Sequence, residues 1–516
     1  MTDVPSAALL LFVAYHHRIA THAPHHLAIA LLSASSIPVS ALLRTSSTFG
    51  APRPQVNMAE QDRRPTAVRG VIIHATEPEH LTILEDALLA VDANGTIISL
   101  EAGVSRQDVA PKLAALGLDL DNCRFVELCP GQFLIPGFVD THNHAPQWMH
   151  RGLGQGMHIL EWLSSTAFPN EARYEDLEHA GAAYSALVDG MLRQGVTTAS
   201  YYGSLHGEAT QVLADICLDK GQRALVGKCN MNRGSPDYYR DASVEDSVRV
   251  TRDCIHHIRR IDPSGSMIRP VITPRFAISC EPKLLAELGT MAAEHPDMAI
   301  QTHFNESEQE VRGTRALFPD FSSEADLYHH YRLLGPRTIL AHCTIMTPYE
   351  IRRLRDLGCG VAHCPTANMT VGGGFMAAPI REFMRQGITV GLGTDSGGGY
   401  SSSMLNAMRH ALIASFARDF MDAKDGSGAL SLEEVFYMAT AGGARVVGFG
   451  DSVGDFVPGK QLDALLVDMR ESRGGVNAPL QAGDSLRIMF EKFIMTGDDR
   501  NIVQVVVRGK VVLDRT

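Results

Sequence analysis

Eight short, apolar, strand-like runs, separated by stretches of helical periodicity, leave this chain few folds to choose from. They are FLIPGFVDTHNH (133–144), GVTTASYYG (195–203), RALVGKCN (223–230), IRPVITPRFA (268–277), AIQTHFNE (299–306), TILAHC (338–343), GVAHCPTA (360–367) and ITVGLGTDS (388–396). Near-continuous apolar runs suit strands buried on both faces, and the intervening helices supply the crossovers that parallel pairing needs. Eight such units predict an α/β fold of the (β/α)8 TIM-barrel type, and the span from His142 to Asp395 is of barrel size.

The chain has 516 residues, which leaves room for a smaller second domain. Both ends carry β-rich pieces: VRGVIIHAT and ALLAVDANGTIISLEAG near the start, ALLVDMR and IVQVVVRGKVVLDRT near the finish. Ala-Asn-Gly and Arg-Gly mark turns between alternating apolar residues. The expected organisation is a small β-sandwich composed of 67–133 and 456–516, around a barrel of 134–455. Residues 1–57, rich in Ala, Ser, His and Leu, break off abruptly at Met58. They read as a disordered or non-native extension with Met58 as the working start, a transit peptide being the alternative. Their histidines 16, 17, 22, 25 and 26 carry no metal reading, since a flexible tail does not orient ligands.

A net charge of -12 offers no basic face for a nucleic-acid polymer, which points to a small-molecule substrate. No apolar run reaches membrane-spanning length, so no membrane partner is expected. Nine scattered cysteines, with no C-x-x-C spacing, argue against a disulfide framework or thiolate metal site and for a reducing, cytoplasmic setting.

Barrel chemistry sits where the strands end at their carboxyl side, so the polar residues closing each run carry the most information. The first run closes on His142 and His144, whose i, i+2 spacing on an extended segment puts both imidazoles on one side. The fifth closes on His303, the sixth on His342 and the eighth on Asp395. Neutral imidazoles with a carboxylate suit Zn²⁺ with a position left for water.

PGFVDTHNHAPQW, TPRFAISC, THFNESEQEV, ILAHC, VAHCPTANM and GLGTDSGGGYSSSML, in that order, resemble the amidohydrolase superfamily, and the longer strings resemble its guanine deaminase family. The resemblance covers most of 67–516. It implies one zinc per chain, held by His142, His144, His303 and Asp395, with His342 beside it orienting the nucleophilic water. It implies hydrolytic deamination of guanine to xanthine and ammonia by a zinc-bound hydroxide, with Glu306 as proton shuttle and Asp395 assisting the leaving ammonia. His342 joins Glu306 and Asp395 as a catalytic group. His144, Gln147, Arg275, Phe276, His303, Glu306 and Asp395 would border the substrate, and a homodimer is implied. The alternatives within the superfamily are a deaminase or chlorohydrolase of another amino-azaheterocycle, and outside it a non-catalytic scaffold.

Many relatives bridge two metals with a carboxylated lysine closing strand four. Here that strand ends in Thr273-Pro274-Arg275-Phe276, and Lys228 lies on the third run as a structural or ion-pairing residue. Arg275 offers a donor-only fork that matches guanine O6 and N7 but not the amino group of adenine. Gln147 can donate and accept along another purine edge, and Phe276 or Trp148 could cover the ring. His363-Cys364-Pro365-Thr366 reads as a pocket-shaping turn, and Gly372-Gly373-Gly374, with no Lys-Ser or Lys-Thr after it, is not a phosphate loop.

Overall fold

The computed structural model describes residues 64–371, 376–422, 428–470 and 477–516. The reading of 1–57 and that of the triple glycine fall outside them. All eight predicted runs form strands of one parallel sheet: Phe138–His144, Val196–Tyr202, Arg223–Gly227, Ile268–Pro274, Ala299–Phe304, Thr338–His342, Gly360–His363 and Val390–Leu392. The third run breaks at Lys228 and resumes as Cys229–Asn230. The Lys228 ammonium pairs with Asp241 in the interior, which is the structural role expected of it.

Neighbouring residues on these strands face opposite ways. Phe138, Ala224, Ile272, Leu340 and Val361 join the large core that packs the helices, while Val139, Leu225, Val271, Ala341 and Ala362 join a separate cluster on Phe449 and Val453. That period-2 division is what two-sided burial of a strand demands. The eighth strand is short, and side chains together with one backbone hydrogen bond complete its link to the first. The buried Asp140 carboxylate accepts hydrogen bonds from the Thr394 amide (2.9 Å), the Thr394 hydroxyl (2.6 Å) and the Asn143 amide group (3.0 Å), and the Asp395 amide donates to the His142 carbonyl at 2.9 Å.

Strands from both chain ends share a second sheet, ordered Lys510–Asp514, Ile502–Val507, Ala464–Asp468, Gln132–Pro136, Thr66–Glu77, His80–Val91, Ile97–Glu101, with Arg124–Glu127 alongside Thr66–Glu77. The two turns expected from sequence are hairpins. Arg508 and Gly509 both take positive φ (52° and 71°), the requirement of a two-residue turn that follows the strands' twist. Asp92 caps the other by accepting from the amides of Asn94 and Thr96. Two cores separate again, by alternation on Ala464–Asp468 and across a bulge at Val503 on Ile502–Val507: Leu465, Val467, Val505 and Val507 face the large one, whereas Ala464, Leu466, Val503 and Val506 close on Val68, Leu89 and Phe456.

The expected change from one domain to the other at 133/134 falls within a single continuous run of chain. Leu134 pairs with Leu466 inside this sheet, so the first apolar run serves both sheets and changes over at Gly137. A Cβ there would stand 2.2 Å from the Thr197 hydroxyl, so only glycine lets the chain pass so close.

Candidate active site

The strand ends converge as the sequence suggests. Relative to strand two, strand one carries an extra residue between Asp140 and Asn143, a bulge that re-aims its end and sets His144 opposite Tyr202. The ligand atoms of His142, His144 and Asp395 lie within 4.8 Å of one another, and so do those of His142, His303 and His342. His144 Nε2 and His303 Nε2 are 3.0 Å apart, and Asp395 Oδ1 is 3.2 Å from His142 Nε2 and 3.5 Å from His144 Nε2. The five predicted residues therefore form one cluster rather than five separate contacts.

Two of the four imidazoles are committed on their far side. His303 Nδ1 donates to the Arg275 carbonyl (2.5 Å) and His342 Nδ1 to the Asn368 side-chain oxygen (2.8 Å), so both turn an Nε2 lone pair inward. Nε2 of His142 and of His342 are buried and make no hydrogen bond. Burial, then the repulsion of neighbouring imidazoles and of Arg275, pushes His142, His144 and His303 well below the usual imidazole range. Neutral nitrogens whose lone pairs have no partner, set around a buried carboxylate, fit a metal cation.

Four of the seven described non-glycine residues with positive φ sit at these strand ends: Asn305 (46°), His342 (74°), Cys343 (49°) and Asp395 (45°). Such backbone costs of order 1–3 kcal/mol per residue and persists only where the surroundings hold it. Here they do: the Asn305 amide donates to Glu324, its side chain to Glu350, and the Glu306 amide to Glu310. Glu306 precedes the helix Glu308–Leu317 and is buried. Its carboxylate lies 3.8 Å from His342 Nε2. Burial, then the charge of Asp395, pushes its carboxyl up to about 8, against a smaller pull from Arg275.

A pocket of about 370 Å³, open mouth included, joins the cluster to the predicted substrate residues: His144, Gln147, Arg275, Phe276, His303, Glu306 and Asp395 all line it. Trp148 does not. Its ring lies under the Arg151 guanidinium (3.2 Å) and against Gly190, and the tryptophan in the pocket wall is Trp162, with Ile159 and Leu163. The fork of Arg275 also differs from expectation. Its two terminal nitrogens grip Glu171 at 2.7 and 3.0 Å, leaving the Nε–H and one N–H on each terminal nitrogen for a ligand. The His363–Thr366 segment leads into a short helix, Pro365–Thr370, rather than a plain turn, and that helix carries Asn368 to His342.

Sequence reasoning passed over Glu171, Tyr202, Asn368 and Trp162. Asn368 lies within a motif string already singled out; Tyr202 closes strand two, where its ring meets His142 and His144. Glu171 sits in a helical insertion with no motif to mark it.

The amidohydrolase family profile matches residues 133–512. This chain belongs to the amidohydrolase family. A probable guanine deaminase of Schizosaccharomyces pombe is 41% identical over 86% of this amidohydrolase and 82% of its own length, and the human guanine deaminase is 34% identical over 86% and 96%. A crystal structure of the guanine deaminase from C. acetobutylicum with guanine bound in its active site superposes with a TM-score of 0.77 and 28% identity, over 87% of this amidohydrolase and 99% of that one.

Proposed function

We propose that this amidohydrolase deaminates guanine hydrolytically at C2, giving xanthine and ammonia, with one zinc per chain held by His142, His144, His303 and Asp395. The observation that carries the reading is one pocket wall shared by the metal-ready cluster, the raised carboxyl of Glu306 and the polar pair Gln147 and Arg275. Relatives named for guanine deamination, similar over most of the chain, support the same substrate.

Zinc, when bound, would lower the pKa of a water towards about 7 and so supply the nucleophile. Glu306 takes a proton from the attacking water and returns it to a ring nitrogen, a task suited to a carboxyl whose buried site favours the protonated form. His342, fixed through Asn368, orients the attacking oxygen, and Asp395 takes that oxygen's second proton and passes it to the departing amino group. Arg275 and Gln147 read the purine's polar edge while Phe276 and Trp162 wall the ring. Strand four supplies no lysine, which favours one metal over two.

Nine free cysteines, eight of them buried, suit a reducing cytoplasm, and no described helix is long and apolar enough to cross a membrane. On the helix Met404–Met421, Ile413, Phe416, Phe420 and Met421 form an exposed apolar stripe at helical spacing, which supports a homodimer. We read 137–455 as the barrel domain and the strands from both ends as the smaller one. Guanine loss followed in the ultraviolet, with ammonia measured alongside, tests the reaction. One ammonia per guanine and no turnover of adenine are expected, with Arg275→Ala eroding that preference. Turnover of another amino-azaheterocycle but not of guanine would reject the substrate.

A further inference from the structure

Glu171 is wholly buried beneath the pocket, and nothing in the reaction just described employs it. It arrives there through an unusual helix. Residues Ile159–Trp162 are α-helical, Leu163–Ala167 form a π turn, and Phe168–Glu171 are α-helical again. A π turn closes i to i+5 and absorbs about one residue more than an α turn. Glu171, eight positions past Leu163, therefore lies about two whole turns on and returns to the face that Leu163 gives to the pocket. Pro169, with no N–H to contribute, is the second residue past the π turn.

The carboxylate is fully subscribed. Oε2 accepts from Arg275 (2.7 Å) and the Tyr239 hydroxyl (2.8 Å); Oε1 accepts from Arg275 (3.0 Å) and Gln147 Nε2 (2.7 Å). Two consequences follow. The carboxamide of Gln147 can face a carboxylate only through its nitrogen, so its oxygen is turned the other way. That oxygen is buried without a partner, in space kept open by Gly397, where a Cβ would stand 2.0 Å from it and where φ is +119°. Second, the guanidinium charge of Arg275 is cancelled at contact distance, so this corner of the pocket carries donors without net charge. Burial by itself would raise the Glu171 carboxyl, but Arg275, Gln147 and Tyr239 outweigh it and hold it below the ordinary value, ionised.

Resting on the reading of this pocket as a guanine site, we infer that Glu171 is its positioning residue: it turns Gln147 to present an acceptor, and it neutralises Arg275 so that an uncharged purine is selected over a purine anion. An acceptor beside charge-balanced donors matches a lactam edge, where a carbonyl oxygen neighbours a ring N–H. An unpaired arginine would instead attract a purine that has lost a proton.

Glu171→Gln keeps the volume but removes the charge and one double acceptor. In steady-state assays with the zinc-loaded enzyme, KM for guanine rises roughly tenfold or more while kcat stays within about threefold, since the lost contacts lie away from the reacting carbon. Urate, a purine monoanion at neutral pH, then inhibits roughly tenfold more tightly than it does the unaltered enzyme. Tyr239→Phe, which loosens Glu171 without touching charge, raises KM for guanine about two- to threefold while leaving urate inhibition unmoved, and so tests the positioning half if Glu171→Gln fails to fold. Opposite movements of guanine and urate are the signature, because general damage weakens both. Unchanged values for both ligands, or a parallel loss, would overturn the inference. An unaltered enzyme that leaves guanine untouched would instead sink the guanine reading itself.

Discussion

The rim of the barrel and the sheet assembled from the two chain ends are built from similar apolar, β-branched sequence, yet they meet opposite standards of local consistency. In the end sheet, the apolar side chains are shared out among separate buried clusters, and the Arg508-Gly509 hairpin takes its positive φ values where a two-residue turn requires them. At the rim, Asn305, His342, Cys343 and Asp395 hold positive φ without being glycine, and imidazole nitrogens lie buried with no partner. The difference teaches where each region's constraints come from. The sheet satisfies itself, whereas the rim is held in place by neighbours and completed by what binds there.

The sharpest way to break this contrast is to remove an inward-facing ligand at the rim. His142→Ala should take guanine turnover below detection, with the end sheet's melting unaffected, as read by kcat and thermal unfolding of the same sample. Glu306→Gln comes next: kcat should fall about 10²- to 10⁴-fold while bound metal, measured by elemental analysis, remains. In the end sheet the effects should exchange places. Phe456→Ala empties a fully buried site in its core and should cost about 3–5 kcal/mol in denaturant unfolding, leaving kcat of the folded fraction within about twofold.

The smallest effect sharpens the boundary between the two regions through pH. Burial, then the charge of Glu324, raises the carboxyl of Glu310, the group that accepts from the Glu306 amide, well above its usual 4.5. The stability it contributes is complete below that ordinary value and is lost as pH rises through the folded one. Between pH 5 and 8 the unaltered protein should therefore lose stability relative to Glu310→Gln, by on the order of 1 kcal/mol in paired denaturant titrations.

What the sequence discloses follows the same division. The eight barrel strands are legible because burial on both faces forces apolar runs, and His142, His144, His303, His342 and Asp395 are legible because each closes one of them. Both hairpin turns announce themselves through Asn-Gly and Arg-Gly. Glu171 is silent because its position depends on a π turn that no periodicity encodes, and Trp162 was passed over in favour of Trp148 because nearness in sequence to His144 is not nearness to the pocket. The changeover at Gly137 is hidden for a related reason: one unbroken apolar run serves two sheets, and only the pairing of Leu134 with Leu466 divides it.

The most direct test of the site is a zinc titration of the metal-free protein, with guanine turnover measured at each addition. Activity should climb linearly and level off at one zinc per chain, with one ammonia released per guanine consumed. A break at two zinc ions, or no guanine turnover at any loading, would contradict it.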